Sequence, residues 1–293
     1  GMAHHFLPSL SSLLLFLSFL QLQATALTDM VTSTDTTEDS CPAPKLVIAT
    51  RLHLGKATSP PTAEKLASLV ANFGQMAEAV ENSIPVIAVD STPKIEGYDY
   101  PTAIRQALAT DSKIQILPVT PWGKFTPALN ALVTYAVEAD CNLIMFCSAE
   151  IKAPKEAIDK LCQHIDKDTI VAGAALPGHQ YSPGTQDLNG RSCPWNTLAV
   201  WDVKKLSLTG FQLCSDLGAT AGVEECAVVG LLQKLFPATI AKLVKLDEIQ
   251  WEQDFEDEER RKWHEYKMKS KLDRAQVQME QLNLASSGKV LHC

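Results

Sequence analysis

From Lys45 onward the sequence alternates short, continuous apolar runs with segments of helical periodicity, and this alternation limits the fold more than any other feature. The runs are 46–50 (LVIAT), 84–90 (IPVIAVD), 114–118 (IQILP), 142–147 (NLIMFC), 169–175 (TIVAGAA) and 197–201 (TLAVW). Each is apolar throughout rather than at every second residue, the pattern of strands covered on both faces. Between them, 62–81 carries Leu66, Leu69, Val70, Phe73, Met76, Ala77 and Val80 at helical spacing. A second helix is expected over about 127–138, and a third begins at Pro154, a residue suited to a first helical turn. Strand and helix in this order predict an α/β fold: a mostly parallel sheet with right-handed crossovers and flanking helices. Ligands of such sheets bind at the carboxyl ends of the strands, so the residues just past each run are the first candidates for a site.

The alternation is framed by two segments of different character. Residues 6–22 (FLPSLSSLLLFLSFLQL) are apolar apart from Pro8, the serines and Gln21, and Ala24-Thr25-Ala26 follows. This reads as a secretory leader over 1–26, with an uncleaved signal anchor as the alternative, since about 17 apolar residues just span a bilayer. Residues 27–44, rich in Thr, Ser, Asp and Pro without a period, read as a disordered linker. The folded domain is expected over 45–250 and a charged C-terminal helix and tail over 251–293. Localisation in the secretory pathway follows, either secreted or in the Golgi or ER lumen, and without N-glycans, because no Asn-x-Ser/Thr sequon occurs.

Eight cysteines in 293 residues fall far below the density of a disulfide-stapled scaffold, so the core must supply the stability. Cys193 with Cys214 is the first pairing to consider and Cys41 with Cys293 the second, while Cys147 lies inside a core strand. The net charge of −8 provides no basic field for nucleic acid or an anionic membrane. In the C-terminal segment, acids from Glu252 to Glu259 precede bases from Arg260 to Arg274. That order complements a helix dipole and predicts one long exposed helix from Asp254 to about Gln281.

The strand ends carry the chemistry. The first closes at Thr50-Arg51, the second at Asp90-Ser91-Thr92 and the fourth at Ser148-Ala149-Glu150. A carboxylate at the second end can accept hydrogen bonds from a nucleobase or ribose, and one at the fourth can ligate a hard divalent cation bridging a diphosphate. Between them, 123–130 (GKFTPALN) is a loop entering a helix whose N–H groups, with Lys124, can face phosphate oxygens. The arrangement implies a nucleotide-diphosphate site. The long polar segment 176–195 offers His179 and Tyr181 as acceptor contacts.

A strand closing in Asp-x-Thr, a Gly-Lys entry into an Ala-Leu-Asn helix and an apolar strand ending in a short acidic motif resemble the GT-A nucleotide-sugar transferases, most nearly the family 2 glycosyltransferases. Downstream, 196–210 (NTLAVWDVKKLSLTG) is similar to the family's strand and helix beneath the acceptor, and Gly222-Val223-Glu224-Glu225 stands where the family has its Glu-Asp pair. The resemblance implies a GT-A, Rossmann-like domain that transfers a sugar from a nucleotide-diphospho-sugar to an acceptor hydroxyl with inversion. It implies that Thr50, Arg51, Asp90, Lys124 and Ser148 bind the nucleotide-sugar, Asp90 at the nucleoside and Lys124 at the diphosphate. Glu150 would hold Mn2+ or Mg2+, and Glu225 or Glu224 would deprotonate the acceptor, which is a glycan, lipid or protein.

The chain departs from the family at its Asp-x-Asp motif, which reads Ser148-Ala149-Glu150 here. Metal-independent transfer, or a catalytically inactive sugar- or partner-binding protein of the same fold, is the alternative this opens. A sugar-phosphate nucleotidyltransferase needs a glycine-rich loop after the first strand, and 50–55 (TRLHLG) has a single glycine. No Gly-x-Ser-x-Gly elbow supports a hydrolase triad, and no Cys-x-x-Cys pair supports zinc.

Overall fold

A computed structural model describes residues 45–55, 57–251, 258–284 and 288–293. The expected leader (1–26), the linker (27–44) and Cys41 lie outside the described residues. All six apolar runs are strands: β1 (Leu46–Leu52), β2 (Ser83–Asp90), β3 (Gln115–Val119), β4 (Leu143–Cys147), β6 (Thr169–Ala174) and β8 (Leu198–Asp202). β9 (Ile240–Val244), β11 (Lys289–His292) and the short β7 (Gly184–Asp187) complete a nine-stranded sheet in the order β3-β2-β1-β4-β8-β6-β9-β11-β7. The sheet is mostly parallel. β8 runs antiparallel to both β4 and β6, and β7 runs antiparallel to β11. Three residues separate β4 from β5 (Ile151–Lys152), which pairs with β10 (Gln250–Trp251) in a separate ribbon.

Successive strand residues point to opposite faces, and each face has its own core. On one face, Leu46, Ile48, Ile87, Val89 and Met145 pack with α1 (Ala63–Ala79), α2 (Tyr100–Ala107) and α4 (Lys155–Gln163). On the other, Val47, Ala49, Val86, Phe146 and Trp201 pack with α3 (Thr126–Glu138), α5 (Val203–Ser207) and α6 (Glu224–Leu235). Caps fix the starts of these helices: the Thr62 hydroxyl accepts from the Lys65 N–H, and Asp99 accepts from the N–H of Thr102.

The C-terminal segment differs from the single exposed helix expected. Its described part forms two helices, α7 (Glu258–Lys269) and α8 (Lys271–Gln281), and then β11, which enters the sheet between β9 and β7. α8 buries Lys271, Arg274, Ala275, Gln278 and Met279. Periodicity concealed this because the charged residues themselves face the protein. The Gln278 amide donates to the carbonyls of Thr220 and Gly222, and the Ser215 hydroxyl donates to Gln278. The cysteine expectation also changes: all seven described cysteines are free, and the Cys193 thiol meets Cys226 rather than Cys214.

Trp201 is fully buried, forms a T-shaped pair with Phe211 at 5.6 Å, and donates its indole N–H to Asn196 Oδ1 at 2.9 Å. Truncation to alanine removes a large core volume and orphans that acceptor. Trp201→Ala should therefore cost about 3–5 kcal/mol, read as a lowered urea midpoint at unchanged m-value.

Candidate functional site

The topology brings four strand ends to one edge. Thr50 and Arg51 lie among the last residues of β1, Asp90 closes β2, and Ser148 and Glu150 follow β4. Because β8 is reversed, its entry residues Asn196 and Thr197 lie at the same edge, where Thr197 O accepts from the Ser148 N–H at 2.9 Å. The Thr50 hydroxyl donates to Cys147 O at 2.8 Å and ties β1 to β4 there.

At the β2 end, Asp90 is almost fully buried. It accepts from the Thr92 N–H at 3.0 Å and pairs with the Lys94 ammonium. Burial pushes its carboxyl pKa up, but the Lys94 and Thr92 hydrogen bonds outweigh this and hold it below the ordinary range. A hollow of about 500 Å³ lined by residues 93–99 opens just beyond it. His53 bridges this end to the middle of the edge. Its ring lies 5.9 Å from that of Trp122, and the charges acting on it are Lys94, Arg51, Asp90 and Lys267.

The loop expected to face phosphate is engaged otherwise. Asp216, from a 3-10 turn about 90 residues away, accepts from the N–H groups of Lys124 (2.9 Å) and Thr126 (3.0 Å) and from the Thr126 hydroxyl (2.6 Å). A carboxylate thus already occupies the positive end of α3. The Lys124 ammonium donates to Gly218 O. Gly123, at φ 64°, is required for this fit, since a Cβ there would lie 2.7 Å from Asp216 Oδ2. Nothing near 123–126 in the sequence signals a partner this distant.

Glu224 and Glu225 open α6, and both are buried, at 5% exposure each. The residue before them, Val223, holds φ 64°, a left-handed conformation that costs a β-branched residue roughly 1–3 kcal/mol. Asn196 binds both acids: its N–H donates to Glu225 Oε1 at 2.6 Å and its amide to Glu224 Oε1 at 3.1 Å. Glu225 Oε2 is buried with no hydrogen-bond partner. Burial, reinforced by Glu224, lifts the Glu225 pKa to about 7, with Lys271 and the Asn196 N–H acting in the opposite sense.

The counter-charges come from the C-terminal helices. The Lys271 ammonium sits 3.4 Å from the Trp195 ring centre, and burial pulls its pKa down to about 8 against the opposing pull of Glu225. Arg274 donates to the carbonyls of Ala221 and Lys267. Sequence reading placed these bases on a solvated face and missed them, as it missed Asn196.

The two acceptor candidates lie within the framework of their own loop. His179 Nδ1 accepts from the Leu176 N–H at 2.9 Å, Nε2 donates to Cys193 O at 3.1 Å, and the ring stacks on Trp195 at 3.6 Å. Burial, with Lys271 nearby, drives its pKa down to about 3, so it stays neutral. Tyr181 stacks on His292 at 5.4 Å. Glu150 is exposed and receives the Ser148 hydroxyl. Among the described residues, no group of three or more His, Cys, Asp or Glu is arranged to hold a metal ion.

No family model matches the chain, and no curated protein matches it. Among solved structures it is similar to a nucleotide-diphospho-sugar transferase of Desulfovibrio desulfuricans, at 13% identity and TM-score 0.38 over 66% of this chain and 76% of that one. It is also similar to a mannose-1-phosphate geranyltransferase of Thermus thermophilus, at 14% identity and TM-score 0.37 over 63% and 67% of the respective chains. Neither likeness carries weight for activity, which has to be argued from the site.

The docking of α8 is testable at Gly190, where a Cβ would lie 2.1 Å from the Lys271 carbonyl oxygen. Gly190→Ala should destabilise the protein by about 1–3 kcal/mol, seen as a lower thermal midpoint, and should raise hydrogen exchange across α8 more than across β1.

Proposed function

We propose that the protein is a GT-A-type glycosyltransferase that moves a sugar from a nucleotide-diphospho-sugar donor to an acceptor hydroxyl. One observation carries the reading. At the carboxyl edge of a mostly parallel sheet, a buried carboxyl has a pKa raised to about 7, one oxygen fixed by a backbone N–H and the other unpartnered. A group so tuned takes a proton efficiently near neutral pH.

In this reading the nucleoside lies over the Thr50–Asp90 end, beside the hollow past Asp90. The sugar lies towards Ser148 and Asn196, and the acceptor hydroxyl meets Glu225 Oε2. Glu225 removes the hydroxyl proton as the oxygen attacks the anomeric carbon, the bond to the diphosphate breaks on the opposite face, and configuration inverts. Glu224 keeps Glu225 basic by repulsion, and Asn196 fixes both acids. The 176–195 loop, held by His179 and Tyr181, shapes the acceptor side.

The resemblance to the GT-A transferases implies Mn2+ or Mg2+ at this edge. Glu150 is the one carboxylate of the 148–150 motif, and the described residues do not form a metal cage around it, so no step above depends on a cation. Secretory localisation rests on the leader-like sequence of 1–26. Among the described residues, no helix is long and apolar enough to cross a membrane.

A second reading is a sugar-binding protein without turnover, favoured by the depth of Glu225 beneath α8. Assays of the full chain against a panel of UDP- and GDP-sugars separate the two. For a transferase, Glu225→Gln should lower kcat/KM by about 10²- to 10⁴-fold with little change in donor-induced thermal stabilisation. Wild-type activity should rise with pH to a plateau above pH about 7, because the base must be ionised. Stabilisation by donors without transfer at any pH, unchanged by Glu225→Gln, would establish the binding protein instead.

A further inference from the structure

Two buried thiols that the proposed chemistry does not use stand together beside Glu225. Cys193 belongs to the 176–195 loop and Cys226 to the first turn of α6, and both lie at 0% exposure in the core of the same sheet face. Printed contacts of their neighbours bring the two segments together. Asn196, just past Cys193, donates its N–H to Glu225 Oε1 at 2.6 Å and its amide to Glu224 Oε1 at 3.1 Å, on the two residues that precede Cys226. Both backbone polar groups of Cys193 are fixed: its N–H donates to Asn189 O at 3.0 Å, and its carbonyl accepts from His179 Nε2 at 3.1 Å. Pro194 seats on Gly173 of β6, where a Cβ would lie 2.7 Å from the Pro194 Cβ. So placed, the two thiols hydrogen-bond to each other. Cys214 is held elsewhere, on the 3-10 turn that Asp216 pins to the α3 N-terminus.

We propose that Cys193 and Cys226 are joined by a disulfide when the chain folds in an oxidising compartment. The bond is independent of the transfer activity proposed above. One cysteine thiolate attacks a donor disulfide, such as that of oxidised glutathione, forming a mixed disulfide and expelling a donor thiolate. The second thiolate attacks the cysteine sulfur of that mixed disulfide and expels the other half of the donor. Two cysteine S–H bonds are lost and one S–S bond forms, while the donor disulfide takes up the two electrons and both protons. Burial, with Cys226 alongside, pushes the Cys193 thiol well above its ordinary pKa, so in the folded protein it stays protonated and unreactive. The bridge therefore forms during folding, before the pair is buried. Once made, it constrains the unfolded chain and ties the 176–195 loop to α6, holding Asn196 against the two acids.

The test is a peptide mass map of the full chain, folded in a buffer of reduced and oxidised glutathione and alkylated at harvest. Cleavage after basic residues and after glutamates puts Cys214 and Cys226 on different peptides, because Glu224 and Glu225 lie between them. The expected result is a cross-linked pair of peptides holding Cys193 and Cys226, retained in Cys214→Ser and lost in Cys226→Ala. Reduction should lower the thermal midpoint of the wild-type chain and leave that of Cys226→Ala where it was. Cys193 linked to any other cysteine overturns the proposal. So does alkylation of both Cys193 and Cys226 in a wild-type chain whose thermal transition shows it to be folded. The map requires no variant, so a failure of Cys226→Ala to fold leaves the decision with the wild-type chain.

Discussion

Two carboxylates buried side by side at the start of α6 are the constraint around which the carboxyl edge is organised. Ionised and unpaired, Glu224 and Glu225 would be intolerable at 5% exposure. Their surroundings supply what water would have: Asn196 hydrogen-bonds both, and Lys271 and Arg274 bring positive charge from α8. Removing one member of such a set typically costs about 3–5 kcal/mol, because its partners stay buried without compensation. The strained backbone at Val223, the close approach of Gly190 to Lys271 and the indole bond from Trp201 to Asn196 all follow from holding this cluster in one arrangement.

Much of the framework was legible in the sequence because a strand covered on both faces leaves an unbroken apolar run. The runs at 84–90 and 142–147 sit within a residue of β2 and β4. Glu224 and Glu225 were legible for a related reason, as acids opening an apolar helix. What escaped was carried by distant partners. Lys124 and the α3 N-terminus look like a phosphate cradle until Asp216 is folded onto them. The bases of 258–274 look solvated until α8 turns Lys271 and Arg274 inward, a choice set by Glu224 and Glu225 on another helix rather than by local periodicity. β7 and β11 are four residues each, too short to declare themselves in the sequence, and are defined by their pairings, β7 with β11 and β11 with both β7 and β9.

Charge is distributed accordingly. A chain with net charge −8 must gather positive potential locally to hold a diphosphate. The C-terminal helices carry cations of two kinds. Lys271 and Arg274 are buried against the acids, whereas Lys267 keeps an exposed side chain. The first kind offsets the buried acids, and the second faces solvent. The short ribbon of β5 and β10 leads the chain past Glu150 towards that segment.

A crystal structure of the full chain with UDP bears most directly on this arrangement. The nucleotide should lie along the carboxyl edge, with the base towards Asp90, the diphosphate towards Arg51 and Ser148, and the Glu225 carboxyl on the acceptor side. UDP seated instead in the hollow of about 520 Å³ lined by His164, Leu246 and Cys293, with the edge between Asp90 and Glu225 empty, would contradict it.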